Sequence, residues 1–229
     1  AQRELKRSES TELPSDGSYQ EFAAEFAWTE TEDQIRAIDD VVSDLGSGRP
    51  MDRLICGDVG FGKTEVALRA AFVAAMSGKQ VAMVVPTTLL ARQHFATFED
   101  RFKGLPIKLG QVSRLVTGKK AQTVRDMLEN GELDIVVGTH ALLGKSAKFK
   151  NLGLLIIDEE QHFGVAQKER LKQMRADVHV LTLTATPIPR TLQMALAGVR
   201  EMSIIATPPV DRLAVRTFVL PYDPVVIRE

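Results

Sequence analysis

The chain has 229 residues, of which 44% are hydrophobic and 26% charged, so it is long enough for one sizeable α/β domain and ordinary in composition for a globular protein. The net charge of −1 divides into −6 over residues 1–33 and about +5 over the remainder, which permits a local nucleic-acid-binding patch without requiring one. No apolar run approaches the roughly 20 residues that span a bilayer, no signal-peptide pattern opens the chain, and the single cysteine, Cys56, excludes an internal disulfide; we therefore expect a cytoplasmic protein.

The first segment, residues 1–18, is rich in Ser, Glu and Lys and has almost no large apolar residues. Such a composition is typical of a flexible linker or tail. Order should begin near Tyr19, because Phe22, Phe26 and Trp28 supply the first large apolar anchors.

A helix is predicted from Thr31 to about Leu45. Thr31 is a suitable N-cap, and Gln34 stands where a capping box requires it. Apolar residues follow with the 3.6-residue period of one helical face: Ile35, Ile38, Val41, Val42 and Leu45. The stretch 46–50 contains two glycines and a proline, which should end the helix.

Short apolar runs then alternate with amphipathic segments. The predicted strands are 53–56, 81–85, 108–113, 134–138, 153–157, 179–184 and 203–205, and the predicted helices are 64–77, 88–102, 119–130, 165–175 and 190–197. Several strands are apolar at every position, which suits a parallel sheet covered on both faces. We therefore predict one α/β domain with a doubly wound, mostly parallel sheet and helices on both faces.

The stretch after the first predicted strand matches the phosphate-binding loop pattern G-x-x-x-x-G-K-[ST] at every constrained position, and a predicted helix follows it. Backbone N–H groups in such a loop and at the helix N-terminus form a cradle for phosphate. Lys63 would reach the β- and γ-phosphates, and the Thr64 hydroxyl would bind Mg²⁺. The alternative is a glycine-rich turn with an exposed lysine. The predicted nucleotide-binding residues are Gly57, Asp58, Val59, Gly60, Phe61, Gly62, Lys63, Thr64 and Glu65.

A second polar cluster follows the predicted strand 153–157. A phosphate-binding-loop ATPase needs one carboxylate for Mg²⁺ and often another to activate the attacking water. We assign Asp158 to the metal, through water, and Glu159 to the general base. The alternative is a charge cluster that the dipole of a helix N-terminus favours. Thr184 ends another predicted strand, and its hydroxyl could couple the nucleotide site to a second ligand; alternatively it belongs to a polar turn.

Together these motifs resemble those of superfamily 2 helicases and translocases. The loop resembles motif I, Asp158 to Gln161 resembles motif II, and the stretch 184–186 resembles motif III. Gln34 fits the adenine-reading Q motif, 86–91 resembles motif Ia, and 138–140 resembles motif Ic. The resemblance covers about residues 20–229 and implies a RecA-like fold, with ATP and Mg²⁺ as cofactors.

The longer strings 57–67 and 184–192 resemble the first motor lobe of the bacterial transcription-repair coupling factors, and Phe61, Glu65 and Val66 favour that family over the RecG-type branched-DNA helicases. The resemblance implies an ATP-driven translocase on double-stranded DNA that displaces stalled RNA polymerase and helps recruit excision-repair proteins. The alternatives are a RecG-type helicase lobe, a nucleotide-binding module without turnover, and a nucleotide-dependent switch of unrelated function.

The resemblance also implies roles for single residues. Trp28 would stack on adenine and Gln34 would hydrogen-bond to it, whereas the residues alone allow a core aromatic and a capping glutamine. A set of residues would grip DNA phosphates, each of which could otherwise belong to a cap or a solvated loop: Thr87, Thr88, Arg114, Thr139 and His140. Thr184, Thr186 and Arg190 would couple the nucleotide site to DNA or to a second lobe.

Two features depart from or fall outside the family pattern. Gln161 and His162 stand where some members carry His and Arg, so no coupling role is defined for Gln161. It is nevertheless a catalytic candidate, together with Lys63, Asp158 and Glu159. The four histidines, His94 among them, lack the spacing of a zinc site.

We expect the domain to span residues 19–206 and residues 207–229 to connect it to a second lobe. Asp223 and Pro224 favour the start of a helix, yet the sequence stops five residues later, which suggests a piece of a longer protein. Motifs IV to VI do not occur here. In the family the second lobe supplies an arginine finger, so this chain by itself would bind ATP and barely hydrolyse it.

Overall fold

A computed structural model describes residue 14 and residues 16–113, 119–144, 147–174, 178–185 and 200–209. The α-helices in these residues are α1 (Ser18–Ala24), α2 (Glu32–Gly46), α3 (Lys63–Met76), α4 (Thr88–Arg101), α5 (Lys119–Asn130) and α6 (Val165–Met174). The strands are β1 (Asp52–Gly57), β2 (Gln80–Val84), β3 (Leu109–Val112), β4 (Ile135–Gly138), β5 (Leu152–Asp158), β6 (His179–Thr184) and β7 (Glu201–Ile205). Short 3-10 helices cover His140–Leu143 and Glu160–His162.

The strands form one sheet in the order β3-β4-β2-β5-β6-β1-β7, and every neighbouring pair is parallel. The predicted α/β class with a doubly wound sheet is thus confirmed, and the sheet is parallel throughout the described strands. The predicted strand bounds agree to within two residues. In a parallel sheet all carboxyl ends meet at one edge, which is where α/β proteins bind ligands.

Two apolar cores cover the two faces of the sheet. Alternate residues of β2 enter different cores: Val81 and Met83 pack under α2, α3 and α4, whereas Ala82 and Val84 pack on the side of α5 and α6. Side chains alternate along a strand, so an entirely apolar strand satisfies both layers. The continuous apolar runs in the sequence are the consequence.

Helix α2 begins with the predicted capping box. The Thr31 hydroxyl accepts from the Gln34 N–H, and the Gln34 Oε1 accepts from the Thr31 N–H. The apolar stripe was only partly correct, because Ile35 is 47% exposed. In the first turn the inner face is occupied by Asp33 and Gln34, which are both buried. Ile35 lies about 100° further round the helix than Gln34, towards solvent.

Helix α1 is an element that the sequence did not predict. It has only seven residues, too few for a periodic pattern, and isolated helices of this length are unstable. Phe22 anchors it by stacking on Phe72 of α3, with 4.4 Å between the ring centroids. Packing rather than local propensity therefore makes this helix.

Other predicted segments lie outside the described residues: most of the tail 1–18, the helix 190–197 and the helix start at Asp223. In the parts that the structure describes, no helix is both long and apolar enough to cross a membrane.

Candidate active site

The loops after β1 and β5 and the end of β6 meet at the carboxyl edge of the sheet and line one cleft of about 1010 Å³. The first loop brings Lys63 and Thr64, the second brings Asp158 and Glu159, and Leu183 at the end of β6 adjoins them. Residues from the segment after α1, among them Trp28, and from α4, among them His94, form the other walls. The separate sequence motifs thus converge on one site.

The loop Gly57–Thr64 is shaped by left-handed backbone conformations that favour glycine. Gly60 and Gly62 have φ values of 80° and 81°. A Cβ atom at Gly62 would also lie 2.3 Å from the Gln34 Nε2. Gly62 is the N-cap of α3 and provides no side chain to cap it, so the first N–H groups of the helix can bind an anion.

Lys63 is the first residue of α3, and its ammonium group lies over the loop. Nζ donates to the carbonyl oxygens of Gly57, at 2.6 Å, and of Asp58, at 3.0 Å. Burial lowers the pKa of Lys63, and the nearby charges of Glu159 and Asp158 oppose that shift. The cation and the two motif II carboxylates therefore share one electrostatic environment.

Asp158 ends β5, and its carboxylate contacts α4, whose first residue, Thr88, is a DNA candidate. The His94 Nε2 of α4 lies 3.0 Å from the Asp158 Oδ2, and both side chains are mostly buried. The two residues are 64 positions apart. The spacing of the histidines does not indicate this pair, because it contains a single histidine.

Glu159 has a strained backbone and a fully engaged side chain. It is the one non-glycine residue with positive φ among the described residues, at 53°. Its Oε1 accepts from the Ala185 N–H at 3.0 Å, and its Oε2 accepts from the Gln161 amide and from the Thr184 hydroxyl at 3.3 Å. Strain of this kind clusters at functional sites. The contacts join motif II directly to the start of motif III.

The two candidate adenine contacts lie on the side of the cleft next to α1. Trp28 is 60% exposed and lines the cleft, so the alternative of a core aromatic is wrong. Gln34 is buried, and besides capping α2 it donates from Nε2 to the Phe61 carbonyl of the loop at 3.0 Å. The capping alternative is thus correct for Gln34, and contact with adenine stays a prediction for both residues.

Glu65 lines the cleft from the first turn of α3, but its carboxylate is held by two arginines. The Oε1 accepts from Arg69 Nε at 2.8 Å and from Arg101 Nη2 at 3.1 Å. Arg101 belongs to the last turn of α4 and was not a candidate from the sequence. Another loop candidate, Val59, is 70% exposed and lines the cleft.

The DNA candidates lie at the same sheet edge, towards β2 and β4. Thr87 is exposed and caps α4, because its hydroxyl accepts from the Leu90 N–H at 3.2 Å. Thr88 begins α4, Thr139 is buried after β4, and His140 opens a 3-10 helix. Three further candidates, Arg114, Thr186 and Arg190, lie outside the described residues.

The residues assigned to Mg²⁺ supply suitable donors. Thr64 offers a hydroxyl and Asp158 a carboxylate, and both line the cleft beside the uncapped start of α3. Mg²⁺ is bound by oxygen ligands, usually one or two carboxylates together with water and substrate phosphates. The donor set therefore fits this ion.

An all-parallel α/β domain with a phosphate-binding loop beside a paired acidic motif defines the class of this protein. The DEAD/DEAH box helicase family profile matches residues 31–195, and the chain belongs to this family. The RecG structure bound to a three-way DNA junction superposes with a TM-score of 0.82 and 33% identity, over 99% of this chain and 30% of that one.

The resemblance to the transcription-repair-coupling factors is also confirmed. The chain is 57% identical to the coupling factor of Rickettsia bellii over its whole length, and 56% identical to that of Escherichia coli over 92% of its length. These alignments cover 21% and 18% of the two relatives, so the chain spans about a fifth of their length.

Proposed function

We propose that this chain is the ATP-binding first motor lobe of a double-stranded DNA translocase. The observation that carries the proposal is the convergence of the phosphate-binding loop, Asp158, Glu159 and Thr184 at one sheet edge around a cleft. A structural turn or a surface charge cluster would not require these distant segments to meet. Membership of the helicase family and the high identity to the coupling factors support the same reading.

The residues of the chain divide the work of binding and hydrolysing ATP. The loop and the start of α3 hold the phosphates through backbone N–H groups, and Lys63 contributes its positive charge to them. Thr64 and Asp158 would hold Mg²⁺, which when bound neutralises charge that develops on the phosphates. Glu159 orients the attacking water and accepts its proton.

The contacts of Glu159 suggest how hydrolysis is coupled to other parts of the protein. Its carboxylate accepts from Thr184 and from the Ala185 N–H. A carboxylate with those bonds cannot direct the same lone pairs at water, so a shift of the segment after β6 would alter its availability. We propose that Thr184, Thr186 and Arg190 transmit such shifts, and that Gln161, which also donates to Glu159, assists.

The DNA contacts are proposed for Thr87, Thr88, Arg114, Thr139 and His140. Contacts to phosphate position a protein without reading the base sequence, as a translocase requires. In the longer protein the motor would act on RNA polymerase stalled on DNA and bring in excision-repair proteins, by analogy with the coupling factors. We propose that the chain by itself binds ATP but turns it over slowly, because a second lobe would supply an arginine finger.

Steady-state ATP hydrolysis tests the proposal. The chain and a version extended through its second lobe are assayed with Mg²⁺, with and without linear duplex DNA. We expect DNA-stimulated turnover only in the extended protein, and we expect Glu159→Gln to abolish it while retaining ATP binding. Turnover by the chain alone that the second lobe does not improve would refute the half-motor assignment.

A second candidate is the motor lobe of a RecG-type branched-DNA helicase. The superposition on the junction-bound RecG structure, at 33% identity, supports this candidate. The two candidate functions are separated by comparing how strongly a three-way junction and a linear duplex of equal length stimulate ATP turnover. A strong preference for the junction would favour the helicase, and equal stimulation would favour the translocase.

A further inference from the structure

One side chain of the cleft is not explained by the proposed division of roles. The His94 Nε2 lies 3.0 Å from the Asp158 Oδ2, and the two side chains are only 12% and 13% exposed. When Asp158 is ionised, its carboxylate can only accept a hydrogen bond, and the His94 Nε2 would then be the donor. The carboxylate assigned to Mg²⁺ therefore has a hydrogen-bond partner on another element.

His94 stands on a part of α4 that is fixed independently of Asp158. Phe98, one turn further along α4, is fully buried and stacks on Phe102, with 5.8 Å between the ring centroids. Arg101 pairs with Glu65 of α3 at 3.1 Å and lies over the Phe22 ring at 4.1 Å. A side chain that is carried by an anchored helix can hold its partner to a defined orientation.

The cleft-facing stripe of α4 reinforces this reading. Leu90, His94, Thr97 and Arg101 recur at helical spacing and all line the cleft. Two of the four reach across to the nucleotide-binding elements: His94 contacts the end of β5, and Arg101 contacts the first turn of α3. The helix that begins with the proposed DNA contact Thr88 is thus bonded to both halves of the nucleotide site.

We propose that His94 is a positioning residue for the metal-binding carboxylate of Asp158. Its hydrogen bond restricts the rotation of the carboxylate and directs it into the cleft, which lowers the cost of ordering it when Mg²⁺ binds. Partners of this kind are worth about 10–100-fold in metal affinity in characterised metal sites. The inference rests on the Mg²⁺–ATP site of the proposed function.

The test is a Mg²⁺ titration of the binding of a ribose-labelled fluorescent ATP analogue to this chain. His94→Leu removes the donor and keeps a side chain of similar bulk, whereas His94→Gln keeps an N–H donor at a similar distance from the backbone. Gln93→Ala is the control, because it changes an exposed neighbour on the same helix. The thermal midpoint of each variant is measured in EDTA to monitor folding.

We expect His94→Leu to raise the Mg²⁺ concentration for half-maximal binding by about 10–100-fold, with analogue binding in EDTA unchanged. His94→Gln should stay within about threefold of the unmodified chain, and Gln93→Ala should match it. The positioning role would be overturned if His94→Leu left the Mg²⁺ concentration for half-maximal binding unchanged. It would also be overturned if His94→Leu and His94→Gln raised that concentration equally. If the unmodified chain binds the analogue without any dependence on Mg²⁺, the proposed metal site itself fails, and the role of His94 fails with it.

Discussion

Replacing Gly62 by alanine should damage both stability and nucleotide binding, and the structure separates the reasons. The residue has φ 81°, and a Cβ atom would lie 2.3 Å from the Gln34 Nε2. The left-handed conformation alone costs alanine about 1–2 kcal/mol. Displacing Gln34 would add about 1 kcal/mol for the capping box and about 1 kcal/mol for its bond to Phe61.

Gly78 provides a matched control after the other end of the same helix, α3. Its φ is 72°, and a Cβ atom there would meet nothing within 4 Å. Gly78→Ala should therefore cost only the conformational penalty of about 1–2 kcal/mol. The variants should differ by about 2 kcal/mol in the free energy of unfolding, which for a domain of this size is a difference of about 4–8 °C in melting temperature.

The assay combines thermal unfolding with titration of the fluorescent ATP analogue. We expect Gly62→Ala to weaken binding at least about tenfold because the loop must move away from Gln34, and Gly78→Ala to bind like the unmodified chain. In a Gln34→Ala background, Gly62→Ala should cost only the conformational penalty, since the remaining cost comes from the contact with Gln34 that this background already lacks. Equal melting temperatures and equal affinities for the two glycine variants would refute the argument.

Two further predictions concern pH. Burial lowers the pKa of His179 to about 4, and its Nδ1 accepts from the Met51 N–H at 3.1 Å. Because the unfolded chain binds a proton near pH 6.5 and the folded chain does not, stability should fall by about 3 kcal/mol as the pH drops from about 6.5 to 4. His179→Asn keeps an acceptor and should flatten that part of the stability profile in urea unfolding, whereas the exposed His162→Asn should not; parallel profiles for all three proteins would contradict this. Hydrogen bonds from the Thr207 hydroxyl and N–H lower the pKa of Asp33 to about 2. Asp33 therefore stabilises the fold above about pH 3.8 and loses this effect towards pH 2, so Asp33→Asn should lower the melting temperature at pH 7 by an amount that shrinks as the pH falls below 4. A constant difference between pH 7 and pH 3 would show that the charge of Asp33 is not responsible.

The sequence by itself determined the elements whose signals are local. The phosphate-binding loop is eight consecutive residues, and the strand bounds follow from uninterrupted apolar runs such as 154–157. The capping box of α2 involves residues three positions apart. Because parallel strands bring their carboxyl ends to one edge, the class of fold also implied that Lys63 and Asp158 would be neighbours.

Only the tertiary structure decided contacts between segments that are distant along the chain. The strand order, the bond from His94 to Asp158 and the pairing of Arg101 with Glu65 depend on how helices dock on the sheet. Docking likewise turned Ile35 to the surface, although the apolar stripe predicted it inside, and made α1 stable although its own sequence gives no periodic signal. Local patterns arise from energies between near neighbours, whereas these features come from packing across 25 or more positions, which no short window of sequence contains.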